Sequence, residues 1–177
     1  MRELLPLSFI VLSIGLWIMT KRLSLGKDVT ISLHAASEKR IQLFFAFLLS
    51  IVSVLISLFA FWLDQRYSLQ GILALLFLLG VGCVLIAAWV PDVEGWSRKV
   101  HRIAAYCIVA VIPVIVGLLL SANLSLVAMI WSILVEVVLL SLCLMLIFAH
   151  GARKYFLFYQ FLYLGLFFSV LLVASYL

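Results

Sequence analysis

The chain has 177 residues, 68% of them hydrophobic and 11% charged, against about 45–50% and about 25% in soluble domains. A soluble fold of this length cannot hide so much apolar surface, and lipid is the solvent that fits. The formal net charge of +5 sits in short segments between long uncharged runs. That argues against nucleic acid as a partner, since its binders line one folded face with cations, and it suits contact with anionic membrane lipids.

A membrane-crossing helix needs about 20 mostly apolar residues. Six segments meet that need, at about 4–20, 41–63, 70–90, 101–121, 125–149 and 155–177. They predict an all-α fold, a polytopic transmembrane bundle of six helices forming a single domain over residues 1–177. The first segment opens with Met1-Arg2-Glu3, which is not a strongly basic start, and no A-x-A-like cleavage site follows. It reads as a retained helix rather than a signal peptide, with Pro6 in its first turn, where a missing N–H costs little.

The polar connection from Lys21 to Arg40 is long for a helical bundle and suits a segment lying along the interface over an opening between helices. Ser37 fits the N-cap of the second span, with Glu38 in its first turn. Within that span Ser50, Ser53 and Ser57 are three and four residues apart, hence on one face. Pro91 ends the third span. Gly80, Gly82, Ala87, Ala88, Ala104 and Ala105 are small residues that let the third and fourth spans approach closely. Pro113 lies inside the fourth and should kink it, freeing the carbonyl of Val109. Trp17, Trp62, Tyr67, Trp89, Trp96, Tyr155 and Tyr176 lie near span ends, at headgroup level. Cys83, Cys107 and Cys143 all fall in apolar runs with no C-x-x-C pair, and they read as small buried hydrophobes.

Lys and Arg are distributed unevenly between the two faces. Loops one, three and five carry Lys21, Arg22, Lys27, Lys39, Arg40, Arg98, Lys99, Arg102, Arg153 and Lys154, ten of the twelve cations. The other face has Arg2 and Arg66. The positive-inside rule puts the three cationic loops in the cytoplasm and both termini outside.

The residues able to carry chemistry are few. His34, His101 and His150 fall at the same membrane boundary, with Asp92 just past the third span and Ser32 beside His34. His and Asp are common zinc ligands, so His34, Asp92, His101 and His150 are candidate metal ligands. His101 and Asp92 are candidate acid–base residues toward a lipid headgroup. The plainer reading makes them interfacial residues that cap helix ends, with Asp92 pairing Arg98 or Lys99; no H-x-x-x-H or H-E-x-x-H spacing is present. Haem ranks below zinc, because bis-histidine ligation needs histidines deep on facing helices.

Glu136 lies close to the middle of the fifth span, where an isolated charge costs at least about 2.5–3.5 kcal/mol. It should face inward, protonated or hydrogen-bonded, either as a proton- or ligand-sensing group or as one packing hydrogen bond. The Ser50-Ser53-Ser57 stripe is its candidate partner.

Three short motifs, Thr30-Ile31-Ser32-Leu33-His34-Ala35-Ala36, Trp89-Val90-Pro91-Asp92 and Val100-His101-Arg102-Ile103-Ala104-Ala105, make residues 20–120 resemble the DUF998 family. These are small bacterial and archaeal membrane proteins with about six helices and no assigned chemistry, distantly similar to the Frag1/DRAM proteins. The family usually has a glycine where His34-Ala35-Ala36 stands. The resemblance implies a shared polar site at Ser32, Asp92 and His101, and a bacterial or archaeal inner membrane. The leading expectation is a protein that binds or moves a lipid or other apolar ligand at a polar cytoplasmic-side site, with Ser32, His34 and Glu136 as ligand-binding candidates. The alternatives are a membrane-embedded hydrolase or transferase, with or without a metal, and a structural subunit that assembles with itself or with a larger complex.

Overall fold

The computed structural model describes residues 1–22, 31–36, 38–148 and 156–177. Among these residues the chain forms helices joined by turns: α1 (Leu4–Arg22), α2 (Ile31–Ala36), α3 (Lys39–Tyr67), α4 (Ile72–Trp89), α5 (Trp96–Leu120), α6 (Leu126–Phe148) and α7 (Phe156–Tyr176). The fold is an all-α bundle. In it α1, α3, α4, α5, α6 and α7 contact one another in a ring that α7 closes back onto α1, and α7 also touches α5.

Among the described residues five helices are long and apolar enough to cross a membrane, namely Lys39–Tyr67, Ile72–Trp89, Trp96–Leu120, Leu126–Met145 and Phe158–Tyr176. The first expected span is shorter, its described apolar run ending at Met19. It is nevertheless part of the bundle: Leu5, Gly15, Leu16 and Met19 are buried, and α1 packs on α3 and α7. Its other face, with Phe9, Ile10, Ile14 and Trp17, is exposed and apolar, as on the neighbouring helices.

One core runs through the ring. It joins Leu5 of α1, Phe59 and Leu63 of α3, Leu73 and Phe77 of α4, Ile115 and Val116 of α5, Leu139 of α6, and Leu171 of α7. Leu75, Val127, Val137 and Phe158 point outward and are exposed. Apolar residues therefore cover both inside and outside, the pattern of helices whose surroundings are lipid rather than water. A smaller cluster of Leu16, Met19, Ala35, Ile41 and Phe45 docks α2 against the ends of α1 and α3. The described part of the long first connection, α2, thus packs on the bundle.

The start of α4 and the end of α7 are satisfied by side chains, as a low-dielectric environment demands. Asp64 is buried; its carboxylate accepts the N–H groups of Gly71 (2.8 Å), Leu73 (3.0 Å) and Ala74 (3.3 Å) at the start of α4. Gly71 reaches that carboxylate from a left-handed conformation, φ 84°, which a side chain would strain. Arg66 and Tyr67 donate to the carbonyls of Ser175 and Ala174 at the end of α7, and the Tyr176 hydroxyl donates to Glu3 (2.9 Å). Both termini and the α3–α4 turn therefore share one end of the bundle, opposite α2 and the α4–α5 turn.

Helix boundaries differ from expectation at three places, one of them the end of α3, which runs on to Tyr67 where 63 was expected. α5 begins at Trp96 rather than near residue 101, so Arg98 and Lys99 are helical instead of lying in a loop, and His101 falls in the second turn instead of at the helix start. α3 begins at Lys39 with Glu38 in extended conformation and no side-chain cap; Ser37, the expected cap, lies outside the described residues.

Candidate functional site

The site nearest to the expectation forms where α2 meets the α4–α5 turn. Pro91 stops α4, the chain turns through Gly95, and α5 restarts with His101 in its second turn. The His101 ring is 5% exposed. Its Nδ1 lies 2.9 Å from the Val90 carbonyl and its Nε2 lies 3.0 Å from Ser32 Oγ. A carbonyl only accepts, so Nδ1 carries the proton, and in the neutral ring Nε2 accepts the Ser32 hydroxyl proton. Two positions 69 residues apart are thereby joined.

Asp92 follows Val90 by two residues and stands 3.6 Å from Arg98 Nε, an ion pair without a hydrogen bond between those atoms. The Ser97 hydroxyl donates to the Pro91 carbonyl and pins the turn. Of the expected polar set, the structure brings Ser32 and His101 into contact and places Asp92 beside them along the chain. The side chain of His34, and His150 entirely, lie outside the described residues.

As arranged, both nitrogens of His101 are engaged and neither is directed at a metal. Among the described residues no three His, Cys, Asp or Glu side chains gather at metal-binding spacing, so Asp92 and His101 have no third ligand there.

A groove of about 490 Å³ lies on the flank between α3 and α4 and ends at Trp89, one residue before Val90. Ser50, Ser53 and Ser57 form one edge and Val54, Leu58, Val81, Leu85 and Trp89 complete it. The hydroxyls of Ser50 and Ser57 donate to the carbonyls of Ala46 and Ser53 (both 2.8 Å), and Trp89 Nε1 donates to Ser50 Oγ (3.2 Å). Trp89 therefore links groove to polar site, because the carbonyl of the next residue, Val90, holds His101.

The serine stripe was the expected partner of Glu136, and the structure corrects this. The stripe faces α4, whereas α6, which carries Glu136, contacts α5 and α7. Glu136 is half-buried in α6, with Tyr163 of α7 as its electrostatic neighbour. Among the described residues its Oε2 and the Oγ of Ser132, one turn earlier, have no hydrogen-bond partner.

Beside Glu136, the freed carbonyl expected from Pro113 is present and occupied. The Tyr163 hydroxyl donates to Val109 O (2.6 Å), and Cys143 Sγ lies 3.4 Å from that hydroxyl and 3.9 Å from the carbonyl. Proline cannot donate to the carbonyl four residues earlier, and a tyrosine from another helix supplies the proton. Sequence reasoning found the acceptor but not the donor. Asp64 was missed too; its signal was a lone acid at a span end, seven residues before Gly71.

Compared with protein-family models, curated proteins and solved structures, the chain gives no match, and its resemblance to DUF998 rests on the sequence motifs alone.

Proposed function

We propose that this membrane-spanning bundle binds an anionic lipid, one chain lying in the α3–α4 groove and the headgroup resting at the Ser32–His101–Arg98 end. The observation that carries the reading is the continuity of the two features through Trp89 and Val90. The groove walls are apolar, as an acyl chain requires, and Arg98, Lys99 and Arg102 in the first turns of α5 supply positive charge. Each cation near the headgroups contributes about 1 kcal/mol. We further propose that this end faces the cytoplasm of a bacterial or archaeal cell and that the termini face outward, since ten of the twelve cations belong to loops one, three and five and the helix ends beside them.

A second reading is favoured by one geometric fact. Ser32 Oγ, His101 Nε2 and the Val90 carbonyl at Nδ1 stand as nucleophile, base and orienting group do in acyl-transfer enzymes. In that reading Ser32 attacks an ester carbonyl of the bound lipid and His101 takes its proton.

One preparation tests both. Protein in nanodiscs of mixed zwitterionic and anionic phospholipid is extracted and its retained lipid identified by mass spectrometry. The expected result is selective retention of anionic lipid, lowered about fivefold by Arg98→Gln, as the loss of ~1 kcal/mol implies, and lowered also by Ser57→Leu, which fills the groove. Equal retention in both variants overturns lipid binding at this site. A fluorophosphonate probe applied to the same sample labels Ser32 only if the second reading holds, and an unlabelled wild type removes it.

A further inference from the structure

Cys83 on α4 and Cys107 on α5 are far apart in sequence and meet across one helix seam. The register comes from Gly80, where an added β-carbon would lie 3.5 Å from Val111 Cγ1, so these two positions are level. The helices run antiparallel through the turn at 90–95. One turn toward that turn from Gly80 is Cys83, and one turn toward it from Val111 is Cys107. That register sets the two thiols at one level of the α4–α5 seam. Cys83 is buried while Cys107 is exposed, on an apolar flank with Ile103 and Val114. Cys107 lies five residues past Arg102, about 7 Å into the apolar part of α5, on a flank that faces lipid, so an oxidant dissolved in the hydrocarbon phase reaches it. Cys143 is separate from this pair, engaged with Tyr163.

We propose that Cys83 and Cys107 form an oxidisable dithiol whose electron acceptor is a quinone-class molecule dissolved in the bilayer. Two S–H bonds break and one S–S bond forms, and both hydrogens with their two electrons pass to the quinone, which becomes the quinol. The link ties α4 to α5 on either side of their connecting turn, enclosing Val90 and His101 in one covalent ring. It does not depend on what the neighbouring groove binds.

The test uses the intact protein in nanodiscs, kept anaerobic and treated with a short-chain benzoquinone. Peptide mass spectrometry should find Cys83 and Cys107 joined, with one quinol formed per link, and dithiothreitol should reverse the change. Cys143→Ser should leave the yield unchanged, and Cys107→Ser should abolish both link and quinol. Three outcomes overturn the proposal: no link under any oxidant, a link formed with copper–phenanthroline but not with quinone, or Cys107 joined to a second copy of the chain.

Discussion

At the scale of single residues, the bundle is organised by backbone groups that a membrane leaves without water. Val109 is the clearest case. Pro113 removes its helical donor, and Tyr163 replaces that donor from α7 at 2.6 Å. Hydrogen bonds in membrane proteins are worth about 0.6 kcal/mol on average and reach about 1.7; an orphaned buried acceptor lies at the upper end. Tyr163→Phe should therefore cost about 1–1.5 kcal/mol in reversible unfolding. In a Pro113→Ala background, residue 113 regains an N–H for Val109, and the same substitution should cost markedly less. Equal costs in the two backgrounds would show that the hydroxyl stabilises something other than this carbonyl. Pro113 was legible as a break in the sequence. Its partner was not, because no local pattern says which of several tyrosines will reach across.

At the scale of helices, close approach depends on where small residues meet large ones. The sequence pointed to the small residues of the third and fourth spans. Ala88 and Ala104 of that set are buried, but among the described glycines the tightest is Gly15 of α1, where a β-carbon would collide with the side chain of Leu48 on α3. Gly82, from the expected set, has nothing within 4 Å of an added β-carbon. The two glycines should respond oppositely. Gly15→Leu overpacks the α1–α3 seam and should cost about 1–3 kcal/mol. Gly82→Ala should be neutral or stabilising by up to about 1 kcal/mol, since alanine favours the helix. Thermal unfolding of the two variants in one detergent compares them directly, and a destabilised Gly82→Ala would mean that position touches more than lipid. A run of small residues locates a candidate seam, but only the facing helix decides which member is needed.

At the scale of the whole molecule, charge and connectivity agree on two unlike ends. One end gathers the termini and the α3–α4 turn through Glu3, Arg66 and Tyr176. The other gathers α2 and the α4–α5 turn through Ser32 and His101. The proposed orientation predicts that, in a chain whose cysteines are replaced by serine, an impermeant maleimide applied to intact cells labels Ser68→Cys and spares Glu94→Cys. The reverse pattern would turn the bundle over, and with it the side from which a lipid headgroup reaches His101.

Sequence alone determined the helical membrane architecture, because span length and the scarcity of charge in apolar runs are set by the bilayer and need no knowledge of neighbours. Span ends agreed with the observed helices to within about two residues for the third, fifth and sixth, matching the limits of helix-end assignment; α5 started earlier than expected because its charged first turns look like a loop in composition. The first helix was legible as an apolar segment, and its place against α3 and α7 was not. Tertiary structure alone decided which polar residues meet. It paired His101 with Ser32 and Val90, gave Val109 to Tyr163, turned the serine stripe toward α4 instead of Glu136, and set Gly80 level with Val111. Each of these depends on the rotation and register of one helix against another. In a chain whose helices are apolar on every side, no hydrophobic stripe records that rotation, and packing of particular side chains settles it.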